Sequence, residues 1–200
     1  EIQLLLVANP DGRAIVEEQI ATGWAGTDGT NARMKNLNAT TCLTQPTNTG
    51  TDLRRNFSFQ WQGGYSGCLN EYSGTSALSE PESSSIQEYL DDVFSNFRGG
   101  YPFDIAEVSG LLLDIESYGD IFRYPYFYTG DDAPEKAELY TLANKLAYGL
   151  DAFPTEPTTQ LHGTPEDYVY GELGIPALAY AIGSGSEGQY FMNCWDFEQE

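Results

Sequence analysis

The chain has 200 residues, 40% hydrophobic and 14% aromatic, which indicates one globular domain with a sizeable core. Its 30 acidic and 9 basic residues give a formal net charge of −21, and this negative field disfavours binding to nucleic acid or to anionic membrane surfaces. No apolar run reaches the roughly 20 residues that span a bilayer, so no membrane span is predicted.

The first predicted element is a strand over Ile2–Ala8, which is apolar at almost every position. This pattern is typical of a strand buried on both faces of a parallel sheet. Such a strand needs neighbours, so we expect a segment upstream of Glu1, a second chain, or another copy of this chain to cover residues 2–8. The N-terminal part of the domain is therefore expected to be missing here. Residues 21–51 follow as a predicted surface loop.

Predicted helices and strands alternate along the remainder of the chain. A helix from Pro81 to about Phe97 places apolar residues at spacings of three and four on one face. The next elements are a strand over Val108–Ile115, a helix that begins at Pro134, a helix capped by Thr164, and a strand over Ala177–Ile182. This alternation predicts an α/β fold with helices on both faces of the sheet, in a single domain over residues 1–200.

Several polar features leave alternatives open. The pairs Asp91-Asp92 and Asp131-Asp132 suit a calcium ion, but short acidic pairs are more often solvated. Asn38-Ala-Thr40 and Asn56-Phe-Ser58 match the N-glycosylation pattern, which also occurs by chance. The single histidine, His162, lies in a predicted loop. A lone histidine in a loop is more often solvated than bound to a metal.

Five ordered motifs carry a resemblance to a known family. They are Asn9-Pro-Asp-Gly12, Gly50–Phe57, the segment from Ser73 to Glu82, Leu111–Tyr118 followed by Tyr124-Pro-Tyr126, and the segment from Thr164 to Pro176. In this order they resemble the zinc metallocarboxypeptidases of the carboxypeptidase A/B type. The resemblance implies a mixed, mostly parallel sheet, of which this chain is the C-terminal portion; a shared fold does not by itself establish activity.

The resemblance also assigns the positions of the metal and the catalytic base. A hydrolytic zinc needs three protein ligands, a site for water and a nearby carboxylate that moves protons. Glu116 occupies the position of a zinc-binding His in the family, and Ala181 occupies that of its Glu base. A carboxylate can bind zinc, so zinc binding through Glu116 stays open, whereas no catalytic residue is assigned. The resemblance places the other ligands, a His-x-x-Glu motif among them, upstream of this chain.

Arg54 and Arg55 occupy the family's Asn-Arg pair, so the resemblance implies that they bind the C-terminal carboxylate of a peptide. An Arg fork holds a carboxylate through two parallel hydrogen bonds. Alternatively, one of them pairs with Asp52. Two further family positions, the Arg that stabilises the oxyanion and a mobile Tyr, fall on Met34, beside Arg33, and on Thr159.

Secreted members of the family imply a disulfide between Cys42 and Cys68. It would close a loop of about 27 residues, stabilise the fold by roughly 3 kcal/mol and indicate an extracellular or periplasmic location. The alternative is two unrelated thiols. Cys194 is left over, for burial or for pairing with a missing segment or a partner chain.

Two functions follow from these observations. The first is a non-catalytic metallocarboxypeptidase-like domain that serves as an extracellular binding or assembly module. The second is a working zinc carboxypeptidase whose remaining ligands lie upstream, with Glu116 as an unusual ligand. A third reading, a calcium-stabilised structural protein, rests on acidity alone.

Overall fold

The structure, a computed structural model, describes residues 2–22, 33–44, 48–94 and 108–183. Over these ranges the elements are α1 Pro10–Ala21, α2 Pro81–Val93, β1 Leu112–Ser117, β2 Ile121–Arg123, α3 Lys136–Ala147, β3 Phe153–Thr155, α4 Pro165–Tyr168 and β4 Ala177–Ile182. A short 3₁₀ turn covers Leu53–Arg55, and a π-helical turn, Val169–Leu173, continues α4. Of the helices in these ranges, none has the length and apolar character needed to cross a bilayer.

The four strands form one sheet in the order β1-β4-β2-β3. The β1–β4 and β2–β3 pairs are parallel, and the β2–β4 pair is antiparallel. The predicted α/β fold with a mixed, mostly parallel sheet is therefore confirmed. Central strand β4 carries alanine at every second position, and Ala177, Ala179 and Ala181 are fully buried. Since alternate residues share a face, these small side chains leave room there for long side chains of β1 and β2.

The core lies against the sheet and is rich in aromatic residues. Helix α3 contacts β2 and β3 and buries Leu139 and Ala143 completely. Helix α4 begins as predicted, because the Thr164 hydroxyl accepts a hydrogen bond from the Asp167 N–H at 3.2 Å. This cap fixes Glu166 and Asp167 in the buried first turn of α4.

The prediction of a buried strand over Ile2–Ala8 is wrong. Residues 2–7 have no regular secondary structure, and Ile2 and Leu6 are 87% and 84% exposed. An apolar run forms a strand only where another strand accepts its backbone hydrogen bonds, and none of the strands described pairs with it. Helix α1, which was not predicted, follows at Pro10; the side-chain Oδ1 of Asn9 caps it by accepting from the Gly12 N–H at 2.9 Å.

Element boundaries differ from the predictions in smaller ways. Strand β1 begins at Leu112 rather than Val108, and α3 begins at Lys136 rather than Pro134. Helix α2 ends at Val93, where Phe94 takes extended backbone angles, so it stops before the predicted end near Phe97. The three-residue strands β2 and β3 are too short for an alternating pattern to reveal them.

The predicted disulfide between Cys42 and Cys68 is confirmed, with a Cα–Cα distance of 4.8 Å. Lys35 lies buried beside the bridged segments, and its Nζ donates to the carbonyl oxygens of Asn48, Gly67 and Leu69 at 2.8, 2.8 and 3.0 Å. One buried ammonium group therefore joins chain segments on both sides of the disulfide. Cys194 lies outside the described residues.

Candidate functional site

Strands β1 and β2 bring a carboxylate and a guanidinium together above β4. Glu116 lies opposite Ala181 in the β1–β4 register, and Arg123 lies opposite Ala179 in the β2–β4 register. Positions two apart on a strand share a face, so Glu116 and Arg123 project on the same side as the two alanines. Arg123 Nη1 donates to Glu116 Oε1 at 2.5 Å. The short side chains of β4 thus permit an ion pair to cross the central strand.

Arg54 contributes a second guanidinium to Glu116. The 3₁₀ turn that carries it is capped by Asp52, whose Oδ1 accepts from the Arg54 N–H at 3.2 Å. Arg54 Nη1 donates to Glu116 Oε2, and Arg54 Nη2 donates to Glu166 Oε1 at 2.9 Å. Both oxygens of Glu116 are therefore bound by arginines. We call Arg54, Arg123, Glu116 and Glu166 the ion cluster.

The ion cluster is shielded from solvent. The Glu166 side chain has no exposed surface, and those of Glu116 and Arg54 are 18% and 23% exposed. Burial alone would lower the pKa of Arg54, but the charges of Glu166 and Glu116 raise it above its usual value. The Arg54 guanidinium also lies over the ring of Phe127, 5.3 Å from its centroid. Arg54 is thus held charged as the common partner of two carboxylates.

Asp114 lies beside the ion cluster, two residues before Glu116 on β1. Burial, and next the charge of Glu166, raise the pKa of Asp114 to about 7. Glu166 Oε2 is buried and has no hydrogen-bond partner within the described ranges. Burial beside the Glu166 side chain thus favours the protonated form of Asp114.

The stability of the chain is expected to increase as the pH falls from 7 to about 5. Burial raises the pKa of Asp167 and of Asp114 to about 7, and that of Asp52 to about 6. An unfolded chain loses these protons near pH 3.9, so between about pH 4 and 7 the folded chain binds more protons. Each such proton changes the free energy of unfolding by about 1.4 kcal/mol per pH unit, stabilising the fold on acidification.

Thermal unfolding between pH 7 and 5 measures this effect. Asp114→Asn should flatten the pH dependence, whereas Asp131→Asn, which removes one charge from an exposed position, should leave it nearly unchanged. A melting temperature that falls on acidification, or equal slopes for the two variants, would contradict the prediction.

Arg55 lies apart from the ion cluster. Its Nε donates to Asp52 Oδ2 at 3.1 Å, and its guanidinium lies over the Tyr65 ring, 5.8 Å from the centroid. No residue in the described ranges accepts a hydrogen bond from its Nη nitrogens. Among the residues that the structure describes, nothing pairs with the Nη edge of Arg55, whereas both Nη atoms of Arg54 are engaged.

The other predicted positions do not converge on the ion cluster. Arg33 donates to the backbone carbonyls of Lys35, Asn36 and Thr49, so its guanidinium joins backbone segments. Met34 is exposed. Thr159 is exposed, and His162 Nδ1 lies 3.2 Å from the Gln60 carbonyl oxygen.

The residues at this site do not fit a zinc ion. Among the residues that the structure describes, no three His, Cys, Asp or Glu side chains are arranged to hold a metal. A cation at Glu116 would also have to displace Arg54 or Arg123 against their positive charges. Ala181 is fully buried and carries no ionisable group.

Sequence reasoning missed three members of this arrangement, Asp114, Arg123 and Glu166. Alternation along β1 places Asp114 and Glu116 on one face, which was an available signal. No local pattern links Arg54 to Glu116 or Glu166, because these contacts join residues 62 and 112 positions apart.

Comparison with known proteins agrees with this fold. The model of the family described as zinc carboxypeptidase matches residues 1–196. The chain is 28% identical to carboxypeptidase A1 of Bos taurus over 197 residues, which is 95% of this chain and 37% of the relative. It is 30% identical to carboxypeptidase B of Bos taurus over 145 residues, 71% of this chain and 29% of the relative. The chain thus spans 37% or less of the length of these two relatives.

Solved structures show the same architecture. Carboxypeptidase A from Helicoverpa armigera aligns with a TM-score of 0.65 and 22% identity, covering 96% of this chain and 44% of that one. Thrombin activatable fibrinolysis inhibitor aligns with a TM-score of 0.65 and 18% identity, covering 82% of this chain and 41% of that one. At these identities the likeness establishes the fold alone. Since the family model covers nearly the whole sequence, the chain belongs to the zinc carboxypeptidase family.

Proposed function

We propose that this chain is a non-catalytic metallocarboxypeptidase-like domain that acts as an extracellular binding or assembly module. The observation that carries the proposal is the occupation of both Glu116 oxygens by Arg54 and Arg123. A metal ligand must lie in a field that accepts a cation, and the positive charges of two guanidinium groups in contact with the carboxylate oppose this. The site is thereby an internal ion cluster rather than a metal centre.

The proton-transfer position supports the same proposal. The family resemblance assigns the base to Ala181, which lies under the ion cluster in the β1–β4 register. General-base catalysis requires a group that takes a proton within hydrogen-bond reach of the attacking water, and a methyl group has no such capacity.

Anion binding is proposed for Arg55 rather than Arg54. The Nη edge of Arg55 has no partner among the described residues, and the Tyr65 ring flanks the guanidinium. Such a fork matches the two oxygens of a peptide C-terminal carboxylate. Binding of this kind, without an activated water, holds a ligand and does not cleave it.

Two further features support an extracellular assembly module. The Cys42–Cys68 disulfide is typical of oxidising compartments. The side chains of Ile2, Leu4, Leu5, Leu6 and Val7 form an exposed apolar segment. An apolar segment of this size is suited to contact with another polypeptide, including a second copy of the chain.

Family membership favours one alternative, an active zinc carboxypeptidase completed by ligands from outside this chain. A zinc-binding measurement separates the two functions. The metal-stripped chain, titrated with zinc by calorimetry and checked by elemental analysis, should bind no stoichiometric zinc through Glu116. Glu116→Ala is the matched control and should give the same isotherm. Stoichiometric zinc that is lost in Glu116→Ala would sink the proposal and favour the enzyme.

A further inference from the structure

The two N-glycosylation patterns in the sequence lie in different environments. The Asn56 side chain is fully buried and makes hydrogen bonds through both of its polar atoms. Its Nδ2 donates to the Ser73 and Ser76 carbonyl oxygens at 2.7 and 2.9 Å, and its Oδ1 accepts from the Glu80 N–H at 3.1 Å. A sugar on Asn56 Nδ2 would break this set of bonds and has no path to solvent. The folded chain therefore excludes a glycan at Asn56.

Asn38 lies in a turn at the surface. It is half-buried, and the two residues that complete its pattern, Ala39 and Thr40, are exposed. Asn38 Oδ1 accepts from Thr40 Oγ1 at 2.8 Å and from the Thr40 N–H at 3.3 Å. The carboxamide and the hydroxyl of the pattern are thus already in contact with each other in the folded turn.

The nitrogen of Asn38 carries one hydrogen more than its contact with Glu80 requires. Nδ2 contacts the two oxygens of one carboxylate, Glu80, at 3.1 and 3.4 Å. A single N–H suffices for this shared contact, and the amide carries two. Replacing the other hydrogen by a sugar would keep the bond to Glu80, and the neighbouring residues Ala39 and Thr40 are exposed. The fold is therefore compatible with a glycan at Asn38.

We propose that Asn38 is an N-glycosylation acceptor and that Asn56 is not. The donor is an oligosaccharide carried on a membrane lipid diphosphate, and a membrane oligosaccharyltransferase catalyses the transfer. The bond between the anomeric carbon and the diphosphate oxygen breaks, a bond between that carbon and Asn38 Nδ2 forms, one amide proton is lost and the lipid diphosphate leaves.

A disulfide close to Asn38 in the chain is consistent with the cellular compartment in which this transfer occurs. Cys42 follows four residues later and is joined to Cys68 by the disulfide. Disulfides form in the oxidising lumen of the secretory pathway, where the acceptor pattern is also used. The inference does not depend on whether the domain is catalytic, only on its entry into that lumen.

Expression of the full chain behind a secretion signal in eukaryotic cells tests the proposal. Enzymatic removal of N-glycans should reduce the mass of the folded protein by one glycan. That treatment converts the modified asparagine into aspartate, and peptide mass spectrometry should locate the change at Asn38. Both the secreted and the cell-retained protein are analysed, so that poor secretion does not hide the result.

Matched variants separate the two positions without disturbing the core. Thr40→Ala should abolish the glycan, and Thr40→Ser, which keeps the acceptor pattern, should retain it. Ser58→Ala removes the second pattern at an exposed residue, leaves buried Asn56 in place and should not change the glycan mass. A lumenal, disulfide-bonded chain without a glycan at Asn38, or with a glycan at Asn56, would overturn the proposal.

Discussion

Replacing Arg54 with alanine should destabilise the chain by about 3 kcal/mol, because it leaves buried carboxylates without their cation. Glu166 has no exposed surface, and Arg54 is the residue with which its Oε1 pairs. Glu116 would keep Arg123 and lose one of its two guanidinium partners. For a domain of this size the loss corresponds to a fall of about 6–12 °C in melting temperature. Denaturant unfolding measures it directly.

Arg13→Ala is the control for this prediction. Arg13 pairs with Glu17 at 2.7 Å in α1, but the two side chains are 62% and 60% exposed. An exposed pair of this kind contributes about 0.5 kcal/mol or less. The double variant Arg54→Ala with Glu166→Gln should recover part of the stability lost in Arg54→Ala, since the buried charge is removed as well. Equal effects of Arg54→Ala and Arg13→Ala would refute the role assigned to the ion cluster.

The ion cluster gives a physical reason for the alanines of β4. Glu116 and Arg123 come from the strands on either side of β4 and make contact across it. A long side chain at position 179 or 181 would occupy the space in which their charged groups meet. The arrangement therefore links the small aliphatic residue Ala181 to the arginine-bound carboxylate of Glu116.

The elements that the sequence predicted correctly depend on local signals. Helix α4 was located by Thr164, Pro165 and Asp167, which form a cap within four consecutive residues. Strand β4 was located by a continuous apolar run that is buried in the sheet. In each case the pattern that identifies the element lies within its own residues, as a helix cap or as a run of buried apolar side chains. A single sequence is therefore enough to predict it.

The elements that failed depend on distant partners. Residues 2–8 have the composition of a buried strand, but a strand also needs a neighbouring backbone, and a single sequence does not show which neighbour is present. The site was predicted only in part for the same reason. Arg54 was assigned to a substrate carboxylate, whereas its Nη groups pair with Glu116 and Glu166, which are distant in the chain.

The 200-residue chain is expected to release no C-terminal residue from short peptides, even with added zinc. Hydrolysis requires a water activated by a three-ligand metal and a group that moves its proton. Glu116, to which the family resemblance assigns a ligand position, is bound by Arg54 and Arg123, and Ala181, to which it assigns the base position, cannot move a proton. Loss of a general base alone lowers the rate by about 10²–10⁴, and loss of metal activation lowers it further.

Chromatography of the released amino acids measures this activity, with bovine carboxypeptidase A1 as the positive control. Glu116→His combined with Ala181→Glu restores the family residue types at two positions without supplying the remaining ligands, so it should also be inactive. Adding Arg54→Asn to that pair removes a guanidinium from the side chain at position 116. We expect this triple variant to gain zinc binding before it gains measurable turnover. Zinc-dependent release by the unmodified chain, abolished both by a chelator and by Glu116→Ala, would contradict this prediction. It would show that Glu116 binds the metal of a working site despite its contacts with Arg54 and Arg123.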